Sequence, residues 1–121
     1  MIIEEYDESL FIQRFENMNR VINDKNKNGN FTYAGLRALF EYLDEIGTEE
    51  DPIKCDVIGF CCDYSEYGDL NEYLQDYKHE PKGEQETEED FKKRIEEEIS
   101  ENTTLIKIGS DLDDGFIIEQ Y

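Results

Sequence analysis

A chain of 121 residues fits one domain, since a single core of that size buries enough surface to fold alone. Its 32 Asp and Glu against 12 Lys and Arg leave a formal net charge of −20, which works against nucleic-acid and anionic-lipid binding and points to basic partner surfaces. Seven Phe and eight Tyr set the chain apart from a disordered acidic tail. Lys25, Lys27, Lys54, Lys92 and Lys93 show that basic residues are retained, which argues against an origin in high salt.

An amphipathic helix is predicted over about residues 7–23, where Phe11, Phe15, Met18 and Ile22 recur at helical spacing. The Asn- and Gly-rich run from Asn23 to Asn30 ends it. A second helix is expected from Tyr33 to Ile46, capped by Thr32, striped by Leu36, Leu39, Phe40 and Leu43, and stopped by Gly47. After an acidic loop containing Pro52, Val57–Cys62 is short and apolar on both faces, which predicts a central strand. Asp69–Tyr77 reads as a short helix with Leu70, Tyr73, Leu74 and Tyr77 inward.

Residues 78–87, with Pro81 and Gly83, read as an exposed loop. Thr87 through Asp90 resembles a capping box with Asp in place of Glu, and the helix it opens turns Phe91, Ile95 and Ile99 inward. Thr104–Ile108 and Gly115–Ile118 flank a turn-rich segment and predict a β-hairpin. The expected order is α-α-β-α-α-β-β. That describes a single α+β domain over residues 1–121, with a small antiparallel sheet of about three strands against three or four helices.

Few residues suggest chemistry. Asp24-x-Asn26-x-Asn28-Gly29 matches the first half of an EF-hand loop, but Gly35 stands where the twelfth position needs a bidentate Glu. A helix–helix connector is the expected reading. Cys55, Cys61 and Cys62 are odd in number and include an adjacent pair, which suits buried free thiols in a reducing compartment. On a strand, Cys61 and Cys62 point to opposite faces, and His79 is the single histidine, so zinc's usual four ligands cannot assemble. A Cys–His nucleophile needs an exposed, perturbed thiolate, whereas the cysteines read as buried and His79 sits by a charged loop. No Gly-rich phosphate loop is present. The expectation is a binding protein, not an enzyme, with no metal and no cofactor. No secretory leader is predicted, and no apolar run approaches the ~20 residues of a membrane span. A cytoplasmic protein is expected.

The carboxylates are the remaining signal. Glu88, Glu89, Asp90, Glu96, Glu97, Glu98 and Glu101 crowd the predicted outer face of the fifth segment. Asp69, Glu72, Asp76 and Glu80 follow at i, i+3 or i+4 spacing, which places them on one face of another helix. Carboxylates one turn apart stand about 5–6 Å from each other along the axis, comparable to phosphates along a nucleic-acid strand. Such a ridge can occupy a Lys/Arg groove built for that backbone. The predicted partner-binding residues are therefore Glu88, Glu89, Asp90, Glu96, Glu97, Glu98, Glu101, Asp69, Glu72 and Asp76, and the predicted partner is a basic nucleic-acid-binding protein. The plainer alternative is acidity that serves solubility. In that case an interaction protein would bind through Tyr64, Tyr67, Tyr73 and Tyr77.

Phe31–Leu43 (FTYAGLRALFEYL), Asp56–Tyr67 (DVIGFCCDYSEY) and Thr103–Ile108 (TTLIKI) resemble, in the same order, segments of small acidic proteins widespread in phage and prophage genomes. The resemblance covers about half the chain. It implies a phage-encoded protein acting in the host cytoplasm. By analogy of class, such proteins inhibit host defences, including restriction enzymes and CRISPR nucleases, some as DNA mimics. No site residue transfers from that analogy.

Overall fold

The computed structural model describes residues 7–24 and 26–121. Lys25 of the Asn-rich connector lies outside them, as do residues 1–6, where the absence of a leader is read. Helix α1 spans Glu8–Asn17, α2 Tyr33–Ile46, α3 Val57–Asp63, α4 Leu70–Asp76 and α5 Glu88–Asn102. Strand β1 spans Tyr64–Tyr67, β2 Leu105–Lys107 and β3 Phe116–Glu119. The strands form one antiparallel sheet in the order β1-β3-β2, with Tyr64 opposite Glu119 and Leu105 opposite Ile118.

Alternation along the strands builds two cores, one on each side of the sheet. Tyr64, Ile106 and Ile117 face α1, α2 and α3, where Phe11, Phe15, Phe31, Leu36, Leu39 and Phe60 meet them. Tyr67, Phe116 and Ile118 face the other way, onto Leu70 and Tyr73 of α4 and Phe91, Ile95 and Ile99 of α5. The fold is thus α+β with three layers: three helices, the sheet, two helices.

Side-chain caps set where most helices begin. The Asp7 carboxylate accepts from Leu10 N–H at 2.8 Å and the Thr32 hydroxyl from Gly35 N–H at 2.9 Å. The Asp69 carboxylate accepts from Glu72 N–H at 2.8 Å and the Thr87 hydroxyl from Asp90 N–H at 3.1 Å. Among the described residues, only this first half of the expected capping box at Thr87 is made. Helix α2 ends at Gly47, as its sequence predicts.

Several sequence expectations are corrected. Val57–Cys62 is helical, not a strand, and the strand begins at Tyr64. Asp56 explains this, because its carboxylate accepts from Gly59 N–H at 3.1 Å and caps the helix. Burial then follows the helical period, with Val57 and Phe60 inside and Ile58 43% exposed. The sheet therefore packs against five helices rather than three or four. Helix α1 also ends at Asn17, short of residue 23, because Asn19 takes φ 60° and turns the chain back. Val21 then pairs with Phe31 in a short parallel bridge. Met18, expected inward, is 46% exposed.

One polar joint locks α2 to the sheet. Glu66 of β1 accepts from Thr32 N–H at 2.9 Å and from the Thr32 hydroxyl at 2.7 Å. Burial raises the Glu66 carboxyl above its ordinary value, and the two Thr32 bonds pull it back. A carboxyl raised in this way favours the fold when protonated. Its contribution is full below the ordinary glutamate value and is lost as pH rises through the raised one. Glu66→Gln keeps an acceptor without the charge. We expect it to be at least as stable as the native chain at neutral pH and to lose that advantage toward pH 4, as urea midpoints at the two pH values will show.

Candidate functional site

Both helices singled out for their acids lie on the same side of the sheet, since α4 and α5 share one core. They cover different strands, however. Helix α4 rests on β1 and α5 on β2, which are the two edges. Their carboxylates flank one face without merging into a single ridge.

The carboxylates of α4 are engaged in local structure. Asp69 is the N-cap. Glu72 Oε2 accepts from Gly68 N–H at 3.1 Å, and Asp76 Oδ2 accepts from the Tyr67 hydroxyl at 2.9 Å. Glu72 and Asp76 also line a small polar recess over the β1 edge with Glu66 and Asn30. Glu80 falls beyond the end of α4, so the i, i+4 face expected to include it stops at Asp76.

On α5 the seven predicted residues divide. Glu88 lies 3.7 Å from Lys82 Nζ, Glu96 is 2.8 Å from Lys107 Nζ, and Glu98 is 3.0 Å from His79 Nδ1. Glu89, Asp90, Glu97 and Glu101 have no ion pair among the described residues, and all four are exposed. With Phe91, Ile95 and Ile99 inward, Asp90, Glu97 and Glu101 fall on the solvent side of the helical wheel. Lysines soften one flank: Lys92, Lys93 and Lys107 line a groove of about 650 Å³ with Glu96, Glu97 and Asp111. There Lys92 Nζ sits 2.6 Å from Asp113, and that ammonium holds the Asp113 carboxyl below its ordinary value.

Among known protein families, curated proteins and solved structures, the chain has no match.

The other sequence candidates resolve plainly. In the Asn-rich connector, Asn26 Nδ2 donates to the carbonyls of Asn19 and Val21 at 2.8 and 3.2 Å, and its Oδ1 accepts from Asn28 N–H at 3.2 Å. The asparagine that would be a cation ligand is thus committed to closing the loop. Among the described residues, no group of three or more His, Cys, Asp or Glu side chains is placed to hold a metal ion. Nor is any helix there long and apolar enough to cross a membrane. Cys55 and Cys61 are partly buried and Cys62 is exposed, which corrects the expectation of three core thiols. The reason is that Cys61 and Cys62 sit on α3, about 100° apart on a helix rather than alternating across a strand. Burial raises the Cys61 thiol, against a smaller opposite pull from Arg20.

The four tyrosines offered as an aromatic binding surface are mostly interior. Tyr64, Tyr67 and Tyr73 are buried, and Tyr77 is half-buried against Tyr73 at a ring separation of 5.0 Å. The phenol of Tyr64 is pushed up to about 12, first by burial and then by Glu119.

A cluster that sequence reasoning missed lies between α4 and α5. Tyr121, Tyr73, His79 and Glu98 form a continuous hydrogen-bonded chain with separations of 2.7, 2.7 and 3.0 Å. The sequence places His79 beside a charged loop, yet its side chain is only 10% exposed. The spacing of Tyr73 and Tyr77 hinted at an inward aromatic stripe. Nothing local announced that Glu98 and Tyr121 would converge on it.

Proposed function

We propose that the protein is a phage-encoded inhibitor that binds a basic, nucleic-acid-binding host defence protein through the outward face of α5. The observation that carries this reading is the set Glu89, Asp90, Glu97 and Glu101. These carboxylates are exposed and unpaired among the described residues, in a chain of net charge −20. Carboxylates left without cations of their own keep the long-range field that steers a basic partner. Their spacing of about one or two helical turns suits a Lys/Arg groove shaped to a nucleic-acid backbone. Glu88, Glu96 and Glu98 are already partly neutralised and have a smaller part in contact. Asp69, Glu72 and Asp76 support the same face electrostatically while capping and bracing α4. The protein works in this reading without a cofactor, in the host cytoplasm.

The test is capture of partners from host lysate with washes at low and high salt, followed by affinity measurement on the recovered protein. A nucleic-acid-binding protein is expected, lost at high salt and displaced by DNA. Reversing Glu89, Asp90, Glu97 and Glu101 to Lys should weaken its binding by about 100-fold or more, with circular dichroism unchanged. Binding that persists at high salt, or survives the four reversals, refutes the proposal.

A further inference from the structure

Residues 77–87 run without regular structure between α4 and α5 and form a strap along one flank of α5. Two side chains hold the strap down. Arg94 donates from Nε to Glu86 Oε2 and from Nη2 to Glu86 Oε1, both at 3.0 Å. Its Nη2 also donates to the carbonyls of Glu80 and Pro81 at 3.1 and 3.2 Å. His79 is the second anchor, through its contacts with Glu98 of α5 and Tyr73 of α4.

Bond directions in the His79 cluster follow from chemistry. A carboxylate accepts only, so Nδ1 carries a proton and donates to Glu98. In the neutral imidazole Nε2 accepts from the Tyr73 hydroxyl, whose oxygen then accepts from Tyr121; in the imidazolium both directions reverse. Tyr73 is fully buried, and burial above all holds its phenol far above the ordinary value, so it stays protonated. Around this line stand Tyr77, stacked on Tyr73 and on Tyr121 at 5.0 and 4.8 Å, and Lys78 and Glu80 from the strap itself. Glu98 joins the two anchors, because the oxygen facing His79 is also 3.7 Å from Arg94 Nη1.

We propose that His79 is the pin, and Glu98 the post, of a latch that holds the 77–87 strap against α5. The strap's other fastenings are the stacking of Tyr77, at its root, on Tyr73 and Tyr121, two bonds between Gly83 and Glu86 (Glu86 N–H to the Gly83 carbonyl at 3.2 Å and Gly83 N–H to Glu86 Oε1 at 3.1 Å), and a loose Lys82–Glu88 pair at 3.7 Å. A segment held by a few polar anchors opens locally without unfolding the domain. Opening releases Glu98 from His79 and carries Glu86 away from Arg94, so that Glu98, with Arg94 still beside it on α5, becomes reachable by a partner seated on Asp90, Glu97 and Glu101. That consequence rests on the binding function proposed above. The latch itself does not.

Trypsin tests the latch on the free protein. Lys78 and Lys82 place two cleavage points in the strap, and Lys107 in β2 serves as an internal reference. Loss of a hydrogen bond to a charged group should raise local opening, and so cleavage after Lys78, by about tenfold. This is expected of both His79→Ala and Glu98→Ala, with cleavage after Lys107 unchanged. Glu97→Ala, on the neighbouring unpaired carboxylate, should leave both rates at the native value. Unchanged cleavage after Lys78 in Glu98→Ala overturns the latch. So does an equal rise at Lys107, or the same rise in Glu97→Ala. Because no partner enters the assay, its outcome is separate from whether the acidic face binds one.

Discussion

Gly35→Ala is expected to destabilise the fold by roughly 2–3 kcal/mol, although alanine is ordinarily the better residue inside a helix by about 1 kcal/mol. The reason is a collision across the α2–β1 joint. A methyl group on Gly35 lands on the Glu66 carboxylate, which it must displace. Glu66 then gives up both the Thr32 N–H and the Thr32 hydroxyl, and its charge loses partners in a partly buried site. The cap of α2 suffers as well, since the Thr32 hydroxyl that bonds Glu66 also accepts from Gly35 N–H at 2.9 Å. Urea unfolding measures the loss, and a double-mutant cycle tests its origin. If the collision is the cause, adding Glu66→Ala to Gly35→Ala should cost little more, because the same bonds are already gone. Full additivity, or a Gly35→Ala loss below about 0.5 kcal/mol, refutes the mechanism.

Phe15→Ala should cost more, about 3–5 kcal/mol. Phe15 is fully buried and lies among Phe11, Phe31 and Phe60 at ring separations of 5.0, 5.7 and 6.5 Å. It thus ties α1 to the returning chain at Phe31 and to α3. Domains of this size are stable by only about 5–15 kcal/mol, and a net charge of −20 works against compactness. The variant should therefore be largely unfolded at low ionic strength and should regain structure as salt screens the repulsion. Circular dichroism across a salt series reads both effects. Met18→Ala is the contrast: the same periodic stripe suggested an inward Met18, yet the residue is 46% exposed. Its replacement should change stability by less than about 0.5 kcal/mol.

These two variants mark where local reading succeeds and where it fails. Helices α2 and α5 are legible because Thr32 and Thr87 cap them, and in α2, α4 and α5 alike apolar residues recur at helical spacing. Helix α3 was misread because a short apolar run fits strand and helix alike. The Asp56 cap that decides between them carries weight only once Ile58 and Cys62 are known to face outward. The segments Phe31–Leu43 and Asp56–Tyr67 meet at Thr32, Gly35 and Glu66, a contact that neither segment announces alone.

The same division runs through the candidate site. The amino-acid sequence by itself determined the excess of carboxylates, the helices that carry them and the inward faces of those helices. All of these follow from residue chemistry and from periods of a few residues. Which carboxylates remain free was decided by tertiary structure. Lys107 reaches Glu96 from β2, Arg94 and His79 converge on Glu98, and Asp76 turns to Tyr67. The line from Tyr121 through Tyr73 and His79 to Glu98 joins residues up to 48 positions apart. Such partners are set by how α4, α5 and the end of β3 pack on one face of the sheet, a long-range outcome of burying two cores at once, and no local propensity encodes it.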